Sequence, residues 1–352
     1  MMNDQPTDEL TTAFIGCYTT DECPLGLRTV ACDPASGALR LLGSYAVPNA
    51  IYQALTPDGR FLLSCADGAL EAFRVDAAAL VRTDRLALGT PSVCHVSVMP
   101  DGSRVCWADY LAPEAGSVGF RDGRFLPASL VRHRHAGSGP NLPRQAAAHC
   151  HQAVPLPDGS GYAVVDLGQD RIFTYPAGTS VATLPPGAGP RHLVFHPNGR
   201  HVLLVSELAN LVSSYRREAD GALTLVAQRS LLPEDWRGAS IAAAIRLSDD
   251  GRRVFASTRG HDSISTFDFD PTSGDLAPVA TTKMPGQRPR DFAFLPGTDL
   301  ALVALETSGT VVSLRYDART GGFTPLAELA GFHRPVAVTW QLLPKQKGIQ
   351  QQ

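Results

Sequence analysis

The sequence predicts an all-β protein, a seven-bladed β-propeller of four-stranded antiparallel blades whose ring is closed by pairing of the N- and C-terminal strands. Three observations carry that expectation. A unit of strand, Asp-Gly or Asn-Gly turn and strand recurs along the 352 residues, at a period of about 48. Turn formers are abundant, Gly 32 and Pro 27, and the short Val/Ile/Leu/Phe runs between them favour strands over helices. Strand-like apolar segments are also left over at both ends, each too short to form a blade alone.

The repeat is first met at residues 52–64, where Pro57-Asp58-Gly59 separates two apolar stretches. It returns from His95 with Pro100-Asp101-Gly102, from His151 with Pro157-Asp158-Gly159 and from Arg191 with Pro197-Asn198-Gly199. Ala243 begins a copy with Asp249-Asp250-Gly251, and Arg290 begins one with a degenerate Pro296-Gly297. An Asx-Gly pair between alternating apolar residues is the strongest local hairpin signal. A further short strand follows each hairpin, such as 172–175 or 264–267, and a looser connection containing Gly leads on. Asp33-Pro34-Ala35-Ser36-Gly37 and Asp270-Pro271-Thr272-Ser273-Gly274 are near duplicates of that connection. The seventh blade is expected to be split, with 335–340 as its inner strand and 13–18 and the next strand completing it, which removes two exposed sheet edges. One domain is expected over 11–342, with flexible tails at 1–10 and 343–352. Residues 131–147 form the only sizeable insertion, a loop rich in His, Arg, Gly and Pro and long enough to suggest a function.

Composition narrows the chemistry. With 44% hydrophobic and 18% charged residues the chain is globular. A net charge of −3 and a pI near 6.4 provide no field to recruit nucleic acid or an acidic membrane. The expected partner is therefore a small molecule, with no nucleic acid and no membrane, and the chain is expected to be a monomer or weak homo-oligomer. The start is acidic and polar, and no apolar run reaches about 18 residues, so a soluble cytoplasmic protein is expected. Seven cysteines without a CxxC pair read as reduced, mostly buried small hydrophobes. His149 and His151 could share one strand face as metal ligands, but no third and fourth ligands follow at suitable spacing, and no metal is expected. Gly137-Ser138-Gly139-Pro140 lacks the strand-to-helix context of a phosphate loop. His196 and His201 flank a turn and are expected at the surface.

The turn fixes one end of each hairpin, so residues equally far before and after it meet at the other end. Six positions before the anchor lie His151, Arg191, Ala243 and Arg290; ten positions after it lie Tyr110, Leu167, Glu207, Arg259 and Glu306, with Asp109 and Asp166 one step earlier. Both sets share one rim, and since inner strands line a propeller's channel, imidazole, guanidinium and carboxylate groups converge on one cavity. Strand ends in any propeller are polar, so some of these groups could also be mutual ion pairs.

The chain resembles the seven-bladed propeller lactonases of the bacterial 6-phosphogluconolactonase type, related to carboxymuconate-lactonizing enzymes. The resemblance covers nearly the whole chain. It is carried by Ile15-Gly16-Cys17-Tyr18-Thr19, Cys94-His95-Val96-Ser97, Gly137-Ser138-Gly139-Pro140 with Arg144-Gln145, and His149-Cys150-His151. Further on it is carried by Asp166-Leu167-Gly168-Gln169-Asp170-Arg171, Gly189-Pro190-Arg191-His192, Glu207-Leu208, Leu232-Pro233-Glu234-Asp235, Arg259-Gly260-His261-Asp262-Ser263 and Pro289-Arg290-Asp291-Phe292. The resemblance implies that His151, Arg191, Glu207 and Arg259 carry the chemistry. His149, His95, Tyr110, Arg290, Asp166 and His192 are expected to bind substrate. Departures from the family pattern are Ala244 in place of an acid, Arg246 in place of a His, and Cys65-Ala66-Asp67 in place of Asn-Glu in the second blade.

The implied reaction is hydrolysis of a sugar lactone, foremost 6-phosphogluconolactone to 6-phosphogluconate. Glu207, or His151 oriented by it, would activate water; Arg191 and Arg259 would stabilise the oxyanion; Arg290 would clamp a phosphate. No metal or organic cofactor is required. A lactonizing enzyme could use the same ring in reverse, and a propeller can also be a non-catalytic binding platform.

Overall fold

The computed structural model describes residues 10–341; the expected tails at 1–10 and 343–352 lie outside the described residues, Leu10 excepted. Within them the chain forms seven four-stranded antiparallel sheets and no helix. Each sheet is a simple meander, innermost strand first. We number the blades 1 (residues 53–87), 2 (93–134), 3 (150–183), 4 (190–230), 5 (241–283) and 6 (289–330). Blade 7 joins Pro335–Trp340 to Thr11–Cys17, Leu27–Cys32 and Leu39–Tyr45, in that spatial order.

The recurring anchor forms a longer turn than the two-residue hairpin the Asx-Gly pair suggests. In blade 1 the N–H of Gly59 donates to Thr56 O (2.8 Å) and the N–H of Thr56 to Phe61 O (2.9 Å), while the Asp58 carboxylate accepts the Arg60 N–H (3.0 Å). Asp101, Asp158, Asn198 and Asp250 make the same side-chain bond two residues on, at 2.9 to 3.0 Å. The following Gly is left-handed, with φ +70° at Gly59 and Gly251 and +68° at Gly199, where a Cβ would be strained. The Asx-Gly pair is thus selected by a side-chain bond to the backbone followed by a positive φ.

Ring closure follows the expected split. Ala13 pairs with Trp340, Phe14 with Thr339 and Ile15 with Val338. These strands bury Ala13, Ile15, Val338 and Trp340 against Leu300 and Leu302 of blade 6, and Trp340 Nε1 donates to Ala293 O of that blade (3.0 Å). Burying each large apolar side chain stabilises by about 1.5–3 kcal/mol, so the closing strand is held by packing as well as by its ladder. The other blade faces pack alike, with Phe255 of blade 5 against Phe292 and Val303 of blade 6.

Two expectations are corrected. Residues 131–134 belong to the outer strand of blade 2, Arg124–Arg134, so the insertion is a loop only from His135 onward. His196 and His201 are buried. The His196 Nε2 lies 3.0 Å from Gly251 O, and its Nδ1 accepts the Asn198 N–H (3.1 Å); both rings pack on Phe269. They brace the turn against blade 5 and so are covered by it. The cysteines are all unpaired, with only Cys23 fully exposed.

Candidate active site

A β-bulge near the start of the inner strand sets the site. Pairing skips Cys94 between Val93 and His95 in blade 2, His151 between Cys150 and Gln152 in blade 3, Arg191 between Pro190 and His192 in blade 4, and Arg290 between Pro289 and Asp291 in blade 6. A bulged residue is unpaired and its side chain is re-aimed. Here Cys94, His151, Arg191 and Arg290 converge on one cavity, with His192 and Asp291 from the next positions. The count from the turn works because the bulge recurs in successive blades.

Behind Arg191 stands Glu207, at the far end of the same hairpin and 2% exposed. Its Oε2 is 3.0 Å from Arg191 Nε and 2.8 Å from Arg259 Nη2, and its Oε1 pairs with Arg144 Nη2. Burial alone would raise the Glu207 carboxyl, but Arg259, Arg191 and Arg144 together hold it well below the ordinary carboxylate range. Burial pulls Arg259 down to about 9 against the attraction of Glu207. Backbone carbonyls complete the cage: Arg191 Nη1 donates to Ala243 O and Arg259 Nη2 to Ala242 O, both at 2.7 Å. His151, Arg191, Glu207 and Arg259 therefore meet at one place, three of them as a buried ion network.

His151 is 6% exposed, and its Nδ1 has no partner among the described residues. Burial and Arg191 push its imidazole well below the ordinary value, so the ring is neutral. It packs edge-on against His192 (5.1 Å) and Tyr110 (5.6 Å). His192 accepts from Arg191 Nη1 through Nδ1 (3.2 Å), and burial with Arg191 keeps it neutral as well. His95 lies beneath, 4.2 Å from the Tyr52 ring and 5.6 Å from His192, lowered to about 3 by burial and Arg191. At the rim the His149 ring stacks on Tyr110 (4.2 Å) and donates from Nδ1 to the Tyr110 carbonyl (2.7 Å). His149 and His151 thus both contact Tyr110, His149 stacked on its face and His151 edge-on to it.

Asp166 departs from the expected substrate-binding role. It is fully buried, and its Oδ1 accepts the N–H groups of His149, Gly168 and Gln169 at 2.9 to 3.1 Å. Its Oδ2 accepts from His135 Nδ1 and Gln169 Nε2, both at 2.7 Å. Register explains this, because Asp166 lies opposite Cys150 and not opposite the bulge, so it organises the turn that carries His149. His135, Cys150 and Asp166 are also the one group of metal-ligand type among the described residues. Both ring nitrogens of His135 are already bonded, the second to Tyr175 OH (2.9 Å), and burial pushes the Cys150 thiol up, so hydrogen bonding accounts for the cluster.

Sequence reasoning missed Arg144 as a site residue, since it comes from a loop that no strand register predicts. It also missed a second carboxylate cage. Glu306 in blade 6 is the counterpart of Glu207 and pairs with Arg290 Nη1 (3.3 Å), Arg288 Nε (3.6 Å) and Arg334 Nη2 (2.5 Å). Arg246, standing where the family pattern has His, pairs at 2.5 Å with Asp291, which lines the cavity.

Comparison with known proteins agrees with this fold. The family model described as "Lactonase, 7-bladed beta-propeller" matches residues 12–340. A 6-phosphogluconolactonase of Bacillus subtilis is 32% identical over 280 residues, 77% of this chain and 80% of the relative. The periplasmic gluconolactonase of Pseudomonas aeruginosa superposes with a TM-score of 0.87 at 28% identity, covering 96% of this chain and all of that one. A putative 6-phosphogluconolactonase of Bacteroides fragilis gives 0.85 at 25% identity, covering 96% and 99%.

Proposed function

The chain belongs to the seven-bladed β-propeller lactonase family, and on that premise we propose that it hydrolyses a sugar lactone, 6-phosphogluconolactone to 6-phosphogluconate. The observation that carries the proposal is the convergence of a neutral His151 and a cationic Arg191 on one cavity, with Glu207 and Arg259 locked behind them. The name of the Bacillus subtilis relative supports the phosphorylated substrate.

His151 takes a proton from water as it adds to the lactone carbonyl. Its Nδ1 is free of other partners among the described residues and its ring is uncharged, so a lone pair facing the cavity is available for that proton. Arg191 stabilises the oxyanion that forms on the carbonyl oxygen. When the tetrahedral intermediate collapses, the ring C–O bond breaks and His151 returns the proton to the leaving alkoxide, so one water is consumed and a hydroxy acid is released. Glu207 is a poor base, because its lone pairs face three guanidinium groups that keep it ionised. Its role is to hold Arg191 in place, and Arg259 holds Glu207. No step calls for a metal or organic cofactor. A cytoplasmic location belongs to the same proposal and is supported by the unpaired cysteines.

The test is an assay of purified protein against phosphorylated and unphosphorylated gluconolactones, corrected for spontaneous hydrolysis with a His151→Gln variant. Rates equal in wild type and variant would sink the proposal.

A further inference from the structure

We propose that Arg288 and Arg334, at the mouth of blades 6 and 7, form with Arg290 an anion clamp that holds the substrate's phosphate and makes the enzyme selective for phosphorylated lactones. This rests on the lactonase reading and assigns the residues that would set its specificity.

The first observation is backbone strain at chosen positions. Some blades are entered through the left-handed region: Asn49 (φ 47°) precedes blade 1 and Gly189 (φ 61°) lies two residues before the bulge of blade 4, and both residue types tolerate it. Blades 6 and 7 place arginine there instead, Arg288 at φ 59° and Arg334 at φ 47°. A side chain with a Cβ is strained in that region, and such outliers concentrate at functional sites. Nothing in the turn itself calls for arginine.

The second observation is charge. Both strained arginines and Arg290 point at the single carboxylate of Glu306, which leaves two positive charges uncompensated. Nearby, Arg290 and Arg334 also sit over the Tyr18 ring, at 5.4 and 4.4 Å. A phosphate monoester brings a charge of about −2 at neutral pH and matches that excess, whereas a carboxylate would neutralise only half of it. Guanidinium groups also suit phosphate geometry, offering paired donors.

The third observation is placement. Side-chain exposure rises outward, from 18% at Arg290 to 38% at Arg288 and 53% at Arg334. Arg290 lines the cavity with His151 and Arg191, so a ligand with its carbonyl at Arg191 can extend its other end past Arg290 toward the two open arginines. The Glu207 cage differs here, since two of its three arginines, Arg191 and Arg259, are 5% and 3% exposed and only Arg144, at 38%, is open.

The experiment uses Arg288→Gly, Arg334→Gly, the double variant and Arg334→Lys. Glycine accepts the left-handed turn, so loss of the side chain is separated from damage to the backbone. Steady-state kinetics are measured with 6-phosphogluconolactone and glucono-1,5-lactone, and binding of 6-phosphogluconate and gluconate is measured by calorimetry. The expected result is a wild-type preference for the phosphorylated lactone that falls at least tenfold in the double variant, carried by KM, with partial recovery in Arg334→Lys. Affinity for 6-phosphogluconate should fall in parallel, and that for gluconate should not. An unchanged preference, or equal losses on both lactones, overturns the clamp while leaving lactone hydrolysis intact. If wild type hydrolyses neither lactone, the proposed function fails, and calorimetry still decides the clamp by whether 6-phosphogluconate binding depends on the two arginines.

Discussion

Arg191 reaches Glu207 across the open end of a single hairpin, Nε to Oε2 at 3.0 Å, and the same oxygen accepts from Arg259 of the next blade. One buried carboxylate therefore ties two blades together and aims a guanidinium into the cavity. Removing the charge leaves Arg191 and Arg259 buried without a counter-ion, which costs about 3–5 kcal/mol. Glu207→Gln is expected to lower the unfolding free energy by roughly that amount and kcat/KM by about a hundredfold or more. The double variant Glu207→Gln/Arg259→Gln should regain part of the stability, since less unpaired charge is buried, and none of the activity. Chemical denaturation and steady-state kinetics read the two effects; a single variant as stable as wild type would contradict the buried network.

The pH dependence of turnover tests whether the buried His151 ring stays neutral. His151 is held well below its ordinary value by burial and Arg191, and Glu207 well below its own, so neither changes charge near neutrality. We expect kcat/KM to stay level as pH falls through 6.5, where an unperturbed His would protonate. His151→Gln should lower kcat by about 10²–10⁴-fold at every pH in that range. A wild-type profile that breaks near pH 6.5 would mean His151 is not held neutral.

Stability should depend on pH for a related reason. His95, His151 and His192 all have depressed values, His95 at about 3. Below the unfolded value of about 6.5 the unfolded chain takes up protons that the folded chain refuses, so stability is complete above that pH and is lost as pH falls. Each imidazole withdraws up to about 1.4 kcal/mol per pH unit in that window. The thermal midpoint is expected to drop steadily from pH 6.5 to about 4.5, with a shallower slope in His192→Gln. A midpoint independent of pH over that interval would refute the buried, neutral cluster.

Legibility in the sequence followed register. His151, Arg191, Arg290, Glu207 and Arg259 were reached by counting from the turn, because the Asx-Gly anchor and the bulge recur together. Counting failed for Asp166, which faces Cys150 across the ladder and spends its carboxylate on backbone N–H groups. It failed for His196 and His201 because the neighbouring blade covers the turn they flank. Arg144 was unreachable, since a loop has no periodicity to count. Arg288 and Arg334 hid in positions where the backbone prefers Gly or Asn, so nothing in their local sequence marks them as facing Glu306.

The loop that delivers Arg144 provides the last prediction. Gln145 is fully buried, and its Nε2 donates to Leu167 O and to Asp170 Oδ1, both at 2.8 Å, while its Oε1 accepts the Asn141 N–H (3.0 Å). Asp170 in turn accepts the N–H groups of Gly187 and Gly189 at 2.7 Å, just before Arg191. Gln145 therefore fastens the loop to the turn that also supports the guanidinium of blade 4. Arg144, pairing with Glu207 and 3.4 Å from Tyr110 OH, is positioned by this bond set and by nothing periodic. Gln145→Ala leaves buried donors and acceptors unpaired, so it should cost about 1–3 kcal/mol of stability. It should also lower kcat/KM by roughly tenfold, since small misplacements of a positioning group are amplified in rate. Arg144→Gln should lower kcat/KM at least as far. If Gln145 acts through Arg144, the double variant loses no more activity than Arg144→Gln alone, and a double-mutant cycle on kcat/KM shows strong coupling. Fully additive losses would mean that the loop reaches the site by some other contact.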